Sequence, residues 1–500
     1  MALIYAFKMR KENHNPVKWL PVLLCGVMLV CSCVPQAKPG YLIPATQTEV
    51  GTLPTSTPYP TRPIYDPGTQ VDYTAQTGDN LTALAARFNT SIDEIKEANP
   101  NIPDDATTMP PGMPMKIPIY YKPLWGSDYQ IIPDGAFVNG PDAVGFNVRQ
   151  FIESTPGWLK RYRTYVSGQN MDAVEAINWV ADNYSVNPKL LLALIEYQTG
   201  ALTNPVRIYD NETTFMGFDT QENPGVYLQI SYAANMLNDF YYRYRRGELI
   251  SFEHLDGRLE NIDPWQNAGT AALHLYFSKL YDGEEYLKAI GPDGFAKTYA
   301  ILFGDPWLNA QAYIPGSLTQ PEFILPFEAG TTWAYTGGPH TGWGSLAPWS
   351  AVDFAPPIGA SGCVETDEFA TAVADGVVAR TATGIVVLDL DGDGDERTGW
   401  VVFYLHVATE DKVSVGMVLK AGDPVGHPSC EGGNSTGTHI HISRKYNGEW
   451  IEAYGLIPFN LSGWLAREGT DAYSGTLVRG DQIVIANTNP NNLSFITAEQ

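Results

Sequence analysis

The hexapeptide THIHIS at residues 438–443 alternates polar and branched apolar side chains, the period of a β-strand with one face in a core. On such a strand His439 and His441 project from the same face. Two imidazoles placed so can share one metal ion, or set one ligand beside one catalytic histidine; spacing alone does not choose. Working outward, VVFYLHV at 401–407 reads as a second alternating strand that delivers His406. The segment GGPHTGWGSLAPWSAVDFAPP at 337–357 supplies His340 and then Asp353, a carboxylate between Val352 and Phe354 in an otherwise apolar strand. A carboxylate there is costly to bury without a partner, and a metal would be that partner. Five of the eight histidines fall between 340 and 441. Two histidines and one carboxylate leave a fourth position for water, the open arrangement of catalytic zinc. The fifth histidine of this region, His427 in GHPS, reads as an ordinary histidine.

The region 320–475 resembles the zinc peptidoglycan endopeptidases of the lysostaphin and β-lytic metallopeptidase family. The resemblance is carried by GGPHTGWGSLAPWSAVDFAPP, AVADGVVART, WVVFYLHVA and VSVGMVLKAGDPVGHPSCEGGNSTGTHIHIS. Many members place the first His and Asp four residues apart; here His340 and Asp353 are thirteen apart, which resembles the β-lytic and staphylolysin branch. The resemblance implies that His340, Asp353 and His441 hold one zinc and that His406 and His439 are catalytic. It also implies a mostly antiparallel β fold, with the peptides of peptidoglycan as substrate.

The acidic run DLDGDGDERTG at 389–399 sits between two strand-like segments. Asp389, Asp391 and Asp393 have calcium-loop spacing, but position twelve is Trp400, so the loop is either a solvated hairpin turn or a partial calcium site. Trp343, Trp349 and Tyr404 either shape a substrate groove or pack.

Towards the N-terminus, residues 71–120 read as βααβ: VDYTAQ, a helix after Asp79 or Asn80, a Ser91/Glu94 capping box opening a second helix, and MKIPIYY. YTAQTGDNLTALAARFNTSIDEIKEANPNI followed by PPGMPMKIPIYY resembles the LysM family, which implies binding to the glycan of peptidoglycan. Between the two, residues 122–315 read as mainly helical. Asn187-Pro188 opens a helix, and LLLALIEYQ is apolar nearly all round and therefore central. NPKLLLALIEYQTG and GFAKTYAILFGDP bear a weaker resemblance to lysozyme-like domains. Where that family carries its acid, this chain has Gln198, which cannot protonate a glycosidic oxygen, and Glu196 lies on another side of the helix. The domain reads as non-catalytic.

Residues 1–33 read as a lipoprotein signal, with Lys8, Arg10, Lys11 and Lys18 before an apolar run ending in VCSC. Cys33 is the residue expected to be lipidated. A Pro/Thr-rich tether follows over 34–70. Of five cysteines, the exported part beyond the signal keeps Cys363 and Cys430. An oxidising exterior and an even count predict a disulfide pinning the loop before THIHIS. Residues 476–500 read as a C-terminal tail. The net charge of −24 argues against a nucleic-acid partner.

The expected architecture is thus a multi-domain α+β chain, exported and lipid-anchored at the outer face of the cytoplasmic membrane. The expected function is a zinc endopeptidase of peptidoglycan, with one zinc per chain. The competing expectation is a LysM lipoprotein without catalysis that activates a partner amidase.

Overall fold

The computed structural model describes residues 62–166, 169–207, 214–219, 222–359 and 361–499. The signal, Cys33 and most of the tether lie outside them. At the N-terminal end β1 (Thr69–Thr74), α1 (Leu81–Phe88), α2 (Ile92–Ala98) and β2 (Pro114–Ile119) form the expected βααβ unit, with β1 antiparallel to β2. Asn80 caps α1 and the Ser91/Glu94 box caps α2. Both caps satisfy main-chain N–H groups that an open helix end leaves without partners.

The helical domain comprises α3 (Val148–Ser154), the hairpin β3 (Arg163–Val166) and β4 (Gln169–Asp172), then α4 (Ala173–Tyr184), α5 (Pro188–Thr199) and α6 (Gly225–Arg245). A second hairpin, β5 (Ser251–Glu253) and β6 (Leu259–Asn261), precedes α7 (Ala268–Ser278), α8 (Gly283–Ile290) and α9 (Phe295–Phe303). Asn187 caps α5, with Pro188 as its first residue, and Leu190 to Ile195 are fully buried. Glu196 clasps the turn after the helix: it accepts the N–H of Leu202 at 2.7 Å and the hydroxyl of Thr203. Gln198 accepts the Tyr281 hydroxyl at 2.8 Å.

The C-terminal domain carries β7 (Thr332–His340), β8 (Ala351–Ala355), β9 (Ala370–Thr371), β10 (Gly376–Ala382), β11 (Gly384–Asp389), β12 (Trp400–Val407), β13 (Val418–Leu419) and β14 (Pro424–Gly426). It continues with β15 (Ile440–Tyr446), β16 (Glu449–Trp450), β17 (Asn460–Leu461), β18 (Trp464–Glu468), β19 (Gly475–Arg479), β20 (Gln482–Ile485) and β21 (Phe495–Thr497). The main sheet runs β13-β10-β11-β12-β15-β8-β7-β21, with β16 on β15, and its pairings are antiparallel. The stretch expected as a C-terminal tail over 476–500 is structural over its described residues, 476–499. β19 and β20 complete a four-stranded sheet with β17 and β18, and β21 closes the edge of β7.

β12 differs from the expected alternation, because it is buried on both faces. Val402, Tyr404 and Val407 enter the domain's own core with Val386, Leu388, Ile440 and Ile442. Val401, Phe403 and Leu405 join the core of the helical domain with Ile385, Val387 and Trp450. A sheet covered on both faces needs apolar side chains throughout. Tyr404 therefore packs away from any groove, and its hydroxyl accepts the N–H of Val373 at 2.9 Å.

One buried cation joins all three parts. The Arg245 guanidinium at the end of α6 lies 3.1 Å from Asp134 of the helical domain and 3.2 Å from Glu449 of β16. It also donates to the hydroxyls of Tyr241 and Tyr313 and to the carbonyl of Thr77 in the βααβ unit. The linker to the sheet is held by the same unit: Ile314 N–H donates to Thr77 Oγ1 at 2.9 Å, and Thr108 Oγ1 donates to Pro315 O at 2.7 Å. Removing one partner of a buried ion pair leaves the others uncompensated, at a cost of about 3–5 kcal/mol. Arg245→Met is therefore expected to lower the unfolding free energy of the full chain by that order, measured by equilibrium denaturation. A loss below about 1 kcal/mol, the scale of an exposed pair, would contradict it.

Candidate metal centre

Four neighbouring strands, β12, β15, β8 and β7, bring the expected residues together. The register sets His441 opposite both Asp353 on β8 and Leu405 on β12, and His340 opposite Ala351. His340, Asp353 and His441 are each about 95% buried or more. Their ligand atoms converge: His340 Nε2 is 2.9 Å from His441 Nδ1, and Asp353 Oδ1 is 3.2 Å from each. His439 enters from the residue before β15, its Nε2 3.8 Å from Asp353 Oδ2. His406 lies with its ring 4.5 Å from that of His439. It sits in the left-handed region at φ 66, which aims the side chain out of the strand's regular alternation.

Main-chain carbonyls fix every imidazole. Nδ1 of His340 faces Gly338 O at 2.8 Å, and Nε2 of His441 faces Gly342 O at 3.1 Å. Nδ1 of His406 faces Glu431 O at 2.9 Å, and Nδ1 of His439 faces Gly437 O at 2.8 Å. A carbonyl only accepts, so each of these nitrogens carries the hydrogen, and in the neutral form of each ring the other nitrogen is bare. In that form two lone pairs oppose each other across the 2.9 Å between His340 and His441, with the Asp353 carboxylate beside them. A cation placed among the three atoms removes that repulsion. The three atoms, 2.9–3.2 Å apart, are close enough for one ion to reach them all with bonds of about 2.0–2.2 Å. The donor set of two imidazoles and one carboxylate fits zinc with one position open.

Burial works to raise the Asp353 carboxyl, but positive charge at His340 and His439 outweighs it and holds Asp353 well below the usual carboxylate range, the same pull that a cation among the three atoms would exert. Burial, reinforced by His439 and His441, pushes His406 down to about 3. Burial also lowers His441 against the opposing pull of Asp353. His406 and His441 are therefore neutral at pH 7, as metal or proton acceptors require.

Cys363 and Cys430 form a disulfide with an S–S distance of 2.10 Å, next to Glu431, whose carbonyl orients His406. His427 stands apart, with Nδ1 on Glu368 O. Asp389, Asp391 and Asp393 do gather within 4.8 Å. The Asp389 carboxylate, however, accepts the N–H groups of Asp391, Gly392 and Gly394, as a closed turn does. Trp343 packs edge-on against Trp179 and Phe403, between the two domains. Sequence reading missed Tyr473, which is half-exposed and stacks on His340 with ring centres 4.1 Å apart. It also missed the carbonyls of Gly338, Gly342, Glu431 and Gly437. A glycine reads as a turn in sequence, and nothing in it announces a carbonyl's partner.

Residues 130–316 match the family described as LasA, N-terminal domain, and residues 73–118 match the LysM domain. The chain is 25% identical over 352 residues to protease LasA of Pseudomonas aeruginosa, covering 64% of this chain and 75% of the relative. Among solved structures, the M23 metalloprotease pseudoalterin aligns with 23% identity and a TM-score of 0.29, over 33% of this chain and 96% of that one. The catalytic domain of lysostaphin from Staphylococcus simulans aligns with 22% identity and a TM-score of 0.18, over 24% and 87%. The alignment to protease LasA is too long to lie within residues 130–316. The chain thus carries a LysM domain and a LasA-type N-terminal domain, and its homology to protease LasA extends beyond that domain.

Proposed function

We propose that this chain is an exported zinc metalloendopeptidase that hydrolyses peptide bonds in the stems or cross-bridges of peptidoglycan, with the LysM domain gripping the glycan of the same polymer. The observation that carries this reading is the set of four imidazoles, each tied to a carbonyl through one nitrogen, with the bare nitrogens of His340 and His441 converging on Asp353. His340 Nε2, His441 Nδ1 and Asp353 would hold the zinc, which supplies Lewis acidity when bound. His406 and His439 each keep a bare Nε2 beside the cluster. A proton leaving the attacking water is accepted at one of these atoms and returned to the departing amine.

An amidase activator without catalysis has no need of this set, and an incomplete set is what that reading required. Cys33 and the Pro/Thr tether support a lipid anchor at the outer face of the membrane. Among the described residues no helix is long and apolar enough to cross a membrane.

Purified protein is expected to contain about one zinc per chain and to release new amino termini from peptidoglycan in a chelator-sensitive manner. His441→Ala should lose the metal. His439→Ala should retain it and lose turnover by about 10²–10⁴-fold. Zinc at full occupancy with no peptide cleavage in any peptidoglycan type would overturn the enzyme reading.

Acid should weaken the zinc-free protein. His406 binds its proton at about 3 when folded, against the ordinary 6.5. Between these values the unfolded chain takes up a proton that the folded one refuses, so stability falls as pH drops from 6.5 towards 3. His274, pushed down to about 4 by burial, adds in the same direction. The melting temperature should decline through this window, less steeply in His406→Gln. A flat profile between pH 7 and 4 would contradict the assignment.

A further inference from the structure

The helical domain also reaches the cluster through the loop after β7. Residues 341–350 join His340, the last residue of β7, to β8, which carries Asp353. Within this loop Gly342 O accepts the Nε2–H of His441, and that bond decides which nitrogen of His441 is left bare towards His340 and Asp353. A shift of the Gly342 carbonyl therefore frees the His441 ring to turn or to change tautomer.

The loop has few bonds of its own. Gly342 N–H donates to Pro348 O at 3.3 Å, Thr341 Oγ1 donates to Leu346 O, and residues 344–346 are exposed. The tip is gripped from α6 instead. Asn235 Oδ1 accepts the Ser345 N–H at 2.9 Å, and Asn235 Nδ2 donates to Ser345 Oγ at 3.2 Å. Gly344, at φ 98, comes so close that a Cβ there would lie 2.4 Å from Asn235 Oδ1 and 3.0 Å from the Tyr184 ring. On the near side Trp343 rests against Trp179 of α4, with ring centres 6.3 Å apart. The loop between two of the three cluster residues is thus shaped to fit the helical domain.

We propose that Asn235 is a positioning residue for the His340–Asp353–His441 cluster. It pins Ser345, the pinned loop holds the Gly342 carbonyl on His441 Nε2, and His441 Nδ1 stays bare towards the metal. The inference rests on the reading that the cluster holds zinc. Under it the helical domain is part of the metal site's support, a role separate from glycan cleavage. Both halves of the amide are used, one accepting and one donating. Asp at this position keeps the acceptor for Ser345 N–H and accepts from the Ser345 hydroxyl, so it should substitute; Ala removes both contacts.

The test uses the full chain with Asn235→Ala, Asn235→Asp and, from the loop side, Gly344→Ala. Zinc affinity is measured by chelator competition, and the His441 tautomer is read from its ring ¹⁵N shifts in the zinc-free protein. Loss of an outer support of a metal ligand typically weakens binding about 10–100-fold. Asn235→Ala is expected in that range, with His441 shifts moving towards averaged tautomers. Asn235→Asp should stay close to wild type in both measurements. Gly344→Ala should follow Asn235→Ala, and it decides the matter if thermal melts show that Asn235→Ala does not fold. Folded variants with wild-type zinc affinity and an unchanged His441 Nε2–H signal would overturn the proposal. If the wild-type chain binds no zinc, the zinc reading fails by itself, and the tautomer measurement still decides the role of Asn235.

Discussion

Two buried imidazole nitrogens 2.9 Å apart, with a buried carboxylate oxygen 3.2 Å from each, are the constraint around which this protein is arranged. Uncompensated, that contact is repulsive in a medium where charge is poorly screened. It persists because the carbonyls of Gly338 and Gly342 hold the two rings from behind, as those of Glu431 and Gly437 hold His406 and His439. These carbonyls come from β7, from the loop after it, and from the one loop that leads into β15. The strand order β12-β15-β8-β7 is what lets residues scattered between 338 and 441 meet. The disulfide works on the same constraint, since Cys430 precedes the carbonyl that orients His406.

The second requirement is a rigid floor. The cluster strands lie in a sheet whose two faces enter two different cores. One face is completed by the helical domain, so the sheet that positions the histidines is not independent of α4, α5 and α6. His441 and Asp353 share register with Leu405, which places the cluster on the sheet face that the helical domain also uses. Arg245, Asp134 and Glu449 lock the same junction with charge, and the tyrosine hydroxyls around them supply the hydrogen bonds that a buried ion pair needs. The helical domain therefore contributes to the site by packing, although its own Glu196 and Gln198 are engaged in local structure.

Much of this was legible in the sequence because the relevant residues obey short periods. THIHIS set two imidazoles on one face, and Asp353 stood out as a charge among apolar neighbours. The βααβ unit announced itself through its caps, and Asn187-Pro188 marked the start of α5. What stayed hidden depends on contacts between distant segments. Tyr473 gave no periodic signal, and its place over His340 arises from the turn before β19. VVFYLHV is equally apolar whether one face or both are covered, so the double burial of β12 could not be read from it. The stretch 476–500 looked like a tail because its strands are short and half-exposed; their pairing with β18 and β7 supplies the order that composition does not.

The same distinction explains why the most informative residues of the middle domain lie outside its core. Leu190 to Ile195 would fill any helical interior, and a volume-conserving exchange among them would be felt mainly as stability. Asn235 is different, since it is half-buried and polar and its partner lies 110 residues away in another domain. A single amide bond at such a site adds little to folding, because an intramolecular hydrogen bond replaces bonds to water. Its effect is on geometry: it selects one position of a loop that has little structure of its own. A metal site responds to shifts that folding free energy barely registers, because ligand direction and tautomer both change with the loop. Stability and site geometry are therefore separable in this molecule, with the first residing in the two cores and the Arg245 junction and the second in the few polar contacts that reach across the seam.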